Sequence, residues 1–140
     1  MSPRDTKTGK VLEAMIVPSL ANGGYAYQTQ VNVGRRPGGR RHMVDVLATK
    51  DGQAILVSLK WQQVGGTAEQ KVPFEVISLT QAVLDSNGKY QKAYLVLGGG
   101  GWTLREFYTS GGLKKYLEYA DKVEIQSLEQ FVAFANQGRL

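Results

Sequence analysis

Residues 57–63 read VSLKWQQ. Side chains alternate faces along an extended strand, so Ser58, Lys60 and Gln62 share one side while Val57, Leu59 and Trp61 share the other. A strand this apolar is expected to be covered on both faces, where a lysine persists only against negative charge. Where that charge comes from bears on both the fold and the chemistry.

The nearest source lies one hairpin upstream. Residues 42–48, HMVDVLA, alternate as a strand with Asp45 on the side of Met43 and Leu47, and Lys50-Asp51-Gly52 is a tight turn of the Asp-Gly kind. Antiparallel pairing through that turn brings Asp45 towards Ser58 and Lys60. Further back, residues 25–33, YAYQTQVNV, read as another strand. Before it, residues 8–21 place Val11, Leu12, Met15, Ile16 and Leu20 at helical spacing. Pro18 should kink that helix or mark its last turn, and Asn22-Gly23-Gly24 stops it.

Downstream, Gly65-Gly66 breaks the chain and Thr67 is placed to N-cap a helix to about Asp85, bent near Pro73. Residues 92–98, KAYLVLG, suit a central strand. The glycines at 98–101 lack the Gly-Lys-Ser/Thr ending and the GxGxxG spacing of phosphate loops. Trp102 to Tyr119 reads as mostly helical with a break at Gly111-Gly112. A short strand follows from Lys122 to Ile125, and Ser127 caps a last helix to about Ala135. A helix, three strands and then alternating helix and strand make an α/β protein.

The chain has 140 residues, 42% apolar and 21% charged, which suits one soluble domain spanning 1–140. With no cysteine and a single histidine, His42, disulfides, thiol nucleophiles and multi-histidine metal sites are excluded. A resident metal would need oxygen ligands, which favours Mg²⁺ or Mn²⁺. No segment resembles a membrane span or a signal peptide, so no membrane partner and a cytoplasmic location are expected. Net charge is +5, and the stretch 35–42, RRPGGRRH, concentrates Arg35, Arg36, Arg40 and Arg41 with no acid. Such a tip is suited to phosphates.

Asp45 followed by Ser58-Leu59-Lys60-Trp61-Gln62 and then GTAEQKVPFE at 66–75 resembles the PD-(D/E)xK nuclease superfamily, in the order of elements as well as the motif. The resemblance implies a restriction-endonuclease-like core, a mixed four- to five-stranded sheet flanked by helices. It further implies a Mg²⁺-dependent DNA endonuclease of homing or restriction type, acting as a homodimer or higher symmetric assembly and nucleoid-associated or phage-encoded. Asp45 takes the place of the first metal-binding acid and Lys60 that of the lysine acting on the attacking water. Val44 stands where many relatives have proline, and Ser58 occupies the second-acid position. Some restriction endonucleases share Ser-x-Lys and supply the acid from the next helix, where Glu69 and Glu75 are available. Glu69 falls on the inward face of Val72 and Val76 and is the preferred candidate, with Glu75 rotated about a third of a turn. Gln62 matches a glutamine near the site, Glu13 the extra acid of the first helix, and Lys71 a phosphate contact.

Three other readings fit the same residues: a Holliday-junction resolvase-like nuclease, a silent DNA-binding module on this fold, or a structural Asp45–Lys60 ion pair. His42 and Trp61 read as structural.

Overall fold

A computed structural model describes residues 6–140; residues 1–5 of the expected 1–140 unit lie outside the described residues. Five strands form one mixed sheet in sequence order: β1 (Ala26–Arg35), β2 (Arg41–Lys50), β3 (Gln53–Trp61), β4 (Lys92–Gly98) and β5 (Val123–Ser127). β1, β2 and β3 run antiparallel as a meander, while β3–β4 and β4–β5 are parallel. Parallel neighbours need long crossovers. The first of these carries α3 (Ala68–Asp85), and the second carries the short α4 (Arg105–Thr109).

Alternation along β3 and β4 divides the core in two. Ile55, Val57, Leu59, Tyr94 and Val96 pack with the N-terminal helices α1 (Thr6–Val11) and α2 (Val17–Asn22) and with α5 (Leu128–Asn136). Leu56, Ala93, Leu95 and Leu97 pack against Val72, Val76, Leu79 and Val83 of α3. A strand covered on both sides explains the unbroken burial of Ile55 through Leu59.

Pro18 is absorbed without ending the helix. A π turn, Leu12–Ile16, joins α1 to α2, and the Val17 N–H reaches back to the Leu12 carbonyl. Proline has no N–H and crowds the carbonyl four residues earlier, and the wider turn relieves that crowding. The hairpin at 50–52 is as expected: Lys50 pairs with Gln53, and Asp51 and Gly52 both have positive φ, as a type I′ turn demands. Ser127 and Gln130 form a reciprocal capping box at the start of α5.

Two expectations need correction. Thr67 sits in a helical conformation and its side chain makes no cap. The amide oxygen of Gln62 instead accepts from the Ala68 N–H at 3.1 Å. The segment 102–119 breaks at Gly111-Gly112 as expected but is far less helical, with only α4 and a 3₁₀ turn, Gly112–Lys115. Left-handed backbone at Gly111 (φ 85°) and Tyr119 (φ 61°) breaks it, and the Trp102 indole is drawn back to the Gly98 carbonyl at 2.8 Å.

Candidate active site

Asp45 sits at an irregularity in the middle of β2. The β1–β2 ladder skips Gln30 and Asp45, with Gln30 at φ 53°, and the β2–β3 ladder ends at Val46–Val57. Val44 and Val46 are two residues apart yet belong to opposite halves of the core, which a regular strand would not allow. The strand therefore turns over at Asp45, as bulges do where a sheet re-aims a side chain. Asp45 Oδ2 accepts the Leu59 N–H at 2.7 Å, so the carboxylate takes a ladder position on β3. Burial pushes its pKa up. The Leu59 bond, the Lys60 charge and a Gln30 side-chain bond work against that rise, and the nearby Glu75 charge adds to it.

Lys60 leaves β3 on the α3 side, as its alternation predicts, and its Nζ lies 3.8 Å from Glu75 Oε2. Glu75 is the hub of the cluster. Its Oε2 accepts from Arg36 at 2.7 Å and its Oε1 pairs with His42 Nε2 at 2.9 Å. Its side chain is only 3% exposed. Burial opposes its ionisation, but the His42 hydrogen bond and the charges of Lys60 and Arg36 prevail and hold its pKa at about 2. His42 is fully buried, and its Nδ1 has no hydrogen-bond partner among the described residues. Ser58 is buried on the Lys60 side of β3.

Glu69 is turned elsewhere. Its Oε1 accepts from the Gln62 amide at 3.2 Å, from the Thr103 hydroxyl at 2.8 Å and from the Thr103 N–H. Burial works against ionisation there too, but the Thr103 bonds, a Leu104 backbone bond and Gln62 lower its pKa. Gln62 also donates to the Gly101 carbonyl at 2.8 Å, so its side chain ties three segments together. Six residues of α-helix rotate the chain by about 600°, which puts Glu69 and Glu75 roughly 120° apart. They flank the Val72–Val76–Leu79 stripe on opposite edges: Glu75 faces the meander and Glu69 faces the loop after β4.

The remaining candidates lie outside this cluster. Glu13 is exposed on the π turn and has no side-chain hydrogen bond or ion pair among the described residues. Lys71 is exposed on α3. Arg35, Arg40 and Arg41 are exposed at the β1–β2 tip, whose turn is closed by the Arg36 N–H on the Arg40 carbonyl at 2.7 Å. Arg36 alone of the four reaches inward. His42 is the residue whose part sequence reasoning missed. Regular alternation would point it away from α3, and only the turn-over of β2 at Asp45 brings it onto Glu75, so no sequence signal announced it.

Among the described residues, no three His, Cys, Asp or Glu side chains converge as a metal cage. Asp45 and Glu75 together offer two carboxylates. Magnesium takes one or two carboxylates and completes its shell with water and phosphate oxygens, so this oxygen-only donor set fits it. Burial is the main cause of the raised Asp45 pKa, and a cation beside the carboxylate would favour its ionised form.

Comparison with known proteins agrees with this frame. The crystal structure of AF1548, a protein of unknown function, superposes with a TM-score of 0.50 at 14% identity, covering 80% of this chain and 54% of that one. The present chain thus spans about half the length of that protein, and the likeness is one of fold, a restriction-endonuclease-like core. A search of the curated proteins gives no match. No helix among the described residues is long and apolar enough to cross a membrane. The family model described as PD-(D/E)XK nuclease superfamily domain matches residues 4–139, nearly the whole length, and the chain belongs to that superfamily.

Proposed function

We propose that this protein is a divalent-cation-dependent DNA endonuclease hydrolysing phosphodiester bonds, with Asp45 and Glu75 holding Mg²⁺ or Mn²⁺. The observation that carries the reading is the convergence of Lys60 from β3 on Glu75 from α3, beside the turned-over Asp45. When bound, the cation supplies an acidified water and screens the charge that develops on the phosphate. Asp45 and Glu75 fix its place. Lys60, with its side chain 28% exposed, holds an ammonium at the edge of the site, where it orients the attacking water and stabilises a phosphate oxygen. Ser58 keeps the Ser-x-Lys spacing without adding charge, so the second carboxylate comes from α3.

In this reading Glu69 is a positioning residue, because its carboxylate is turned away from Lys60 and Asp45 onto Gln62 and Thr103. Gln62 acts with it, and Glu13 stands apart. Arg35, Arg40, Arg41 and Lys71 engage phosphates. Cutting two strands requires two such sites, so a symmetric homodimer belongs to the same proposal.

The test is incubation with supercoiled plasmid and with branched DNA in Mg²⁺ and in EDTA. Lys60→Ala and Glu75→Gln are each expected to remove Mg²⁺-dependent cleavage by at least about 100-fold, the scale of acid–base contributions, while binding DNA in EDTA. Wild-type-like cutting by Lys60→Ala would overturn the assignment. A folded wild type that binds DNA and never cuts it would favour the silent module instead.

A further inference from the structure

A cavity adjoins the cluster. It measures about 270 Å³ and is lined by Arg36, Pro37, Gly38, Arg40 and Phe74. No acid lines it. Phe74 is 47% exposed, immediately before Glu75 on α3. Its ring makes no ring–ring or cation–π contact among the described residues, so it is unstacked and shares the cavity with the Arg36 and Arg40 side chains.

We infer that this cavity takes an unpaired nucleobase, stacked on Phe74 with its phosphates on the tip arginines, and that the substrate is therefore DNA carrying unpaired nucleotides beside the bond that is cut. The inference rests on the nuclease reading for its location and deepens it by naming the substrate class. A base within a duplex is stacked on both sides and has no face to offer, whereas a single strand or a branch point does. An aromatic ring with flanking arginines is the chemistry that holds such a base. Arg36 belongs to both places: it lines the cavity and donates to Glu75, so a base held there lies one side chain from the candidate carboxylates.

The experiment measures binding of the full chain to dye-labelled oligonucleotides in EDTA, where no cation-dependent cutting occurs. Single-stranded, forked and uninterrupted duplex forms of one sequence are compared. Wild type is expected to bind the single-stranded and forked forms more tightly than the duplex. Phe74→Ala and Phe74→Leu should weaken those two forms by about 5- to 150-fold, the range for one lost base stack, with duplex binding within about twofold. Phe74→Trp should restore them. Leucine restoring what alanine loses would make the cavity a greasy seat for a protein side chain and overturn the inference. Equal losses on all three forms, or no loss on any, would overturn it as well. Failure here leaves the Lys60→Ala cleavage test untouched, and failure of that test leaves the Phe74 result standing.

Discussion

Asp45 and Glu75 are both buried carboxylates, yet their surroundings push them in opposite directions. Asp45 is raised above its ordinary value mainly by burial, so its ionised form costs stability at neutral pH. Asp45→Asn should therefore raise the melting temperature at pH 7, because the remaining amide oxygen can still accept the Leu59 N–H, while cleavage is lost. Adding Mg²⁺ should raise the melting temperature of wild type and leave the variant where it was. Glu75 has the opposite sign. Its pKa is lowered to about 2, so the stability it confers is full above its unfolded pKa near 4.5 and is lost as pH falls through about 2. A shift of that size corresponds to about 3 kcal/mol. Denaturant unfolding at pH 5 and pH 2 should show that difference in wild type and a clearly smaller one in Glu75→Gln.

At the scale of elements, the glycines after β4 are the sharpest point. A Cβ on Gly99 would meet the Gln62 backbone carbonyl, and one on Gly101 would meet the backbone of Gln63 and Val64, while one on Gly100 would meet nothing. Backbone against backbone has no soft way to yield. Gly99→Ala and Gly101→Ala are each expected to lose roughly 2 kcal/mol or more, and Gly100→Ala to stay within about 0.5 kcal/mol. Denaturant midpoints of the three variants check this. The glycine run thus serves close packing of two loops, in line with its missing phosphate-loop residues.

The elements that could be read from sequence are those whose partner is set by local period. β3 and β4 alternate cleanly, and α3 repeats Val72, Val76, Leu79 and Val83 at helical spacing. Asp45 and Lys60 were legible as neighbours because one short turn separates their strands. The irregularity at Asp45 was not, since it depends on Leu59 exchanging a ladder bond for a carboxylate. Sequence preferred Glu69 to Glu75, whereas the structure puts Glu75 beside Lys60. Both border one buried stripe, and the order of strands in the sheet decides which edge meets Lys60. The 102–119 segment misled because Leu, Lys and Tyr carry helix propensity while the left-handed turn at Tyr119 has no glycine to announce it.

Over the whole molecule, charge is gathered at one end of the meander. Arg35, Arg40 and Arg41 project from the β1–β2 tip, and Arg36 folds back onto Glu75. Replacing Arg35, Arg40 and Arg41 one at a time with glutamine should each lower the log–log slope of duplex binding against salt by about 0.9, the value for one released phosphate contact. Fluorescence anisotropy between 50 and 200 mM salt, about the range over which such slopes are read, measures it. An unchanged slope would make the tip a solvated turn.

Arg36 carries the wider consequence. A guanidinium cannot serve Glu75 and a DNA phosphate equally well, so a phosphate that draws Arg36 outward leaves Glu75 with less positive charge around it. If Asp45 and Glu75 hold a divalent cation as proposed, the pair would then attract it more strongly than before. Linkage makes the effect mutual: whatever factor DNA adds to cation affinity, the cation adds to DNA affinity. One ion pair 2.7 Å long would in this way join two ligands into a single cooperative event, with the metal held firmly only when there is a strand to cut.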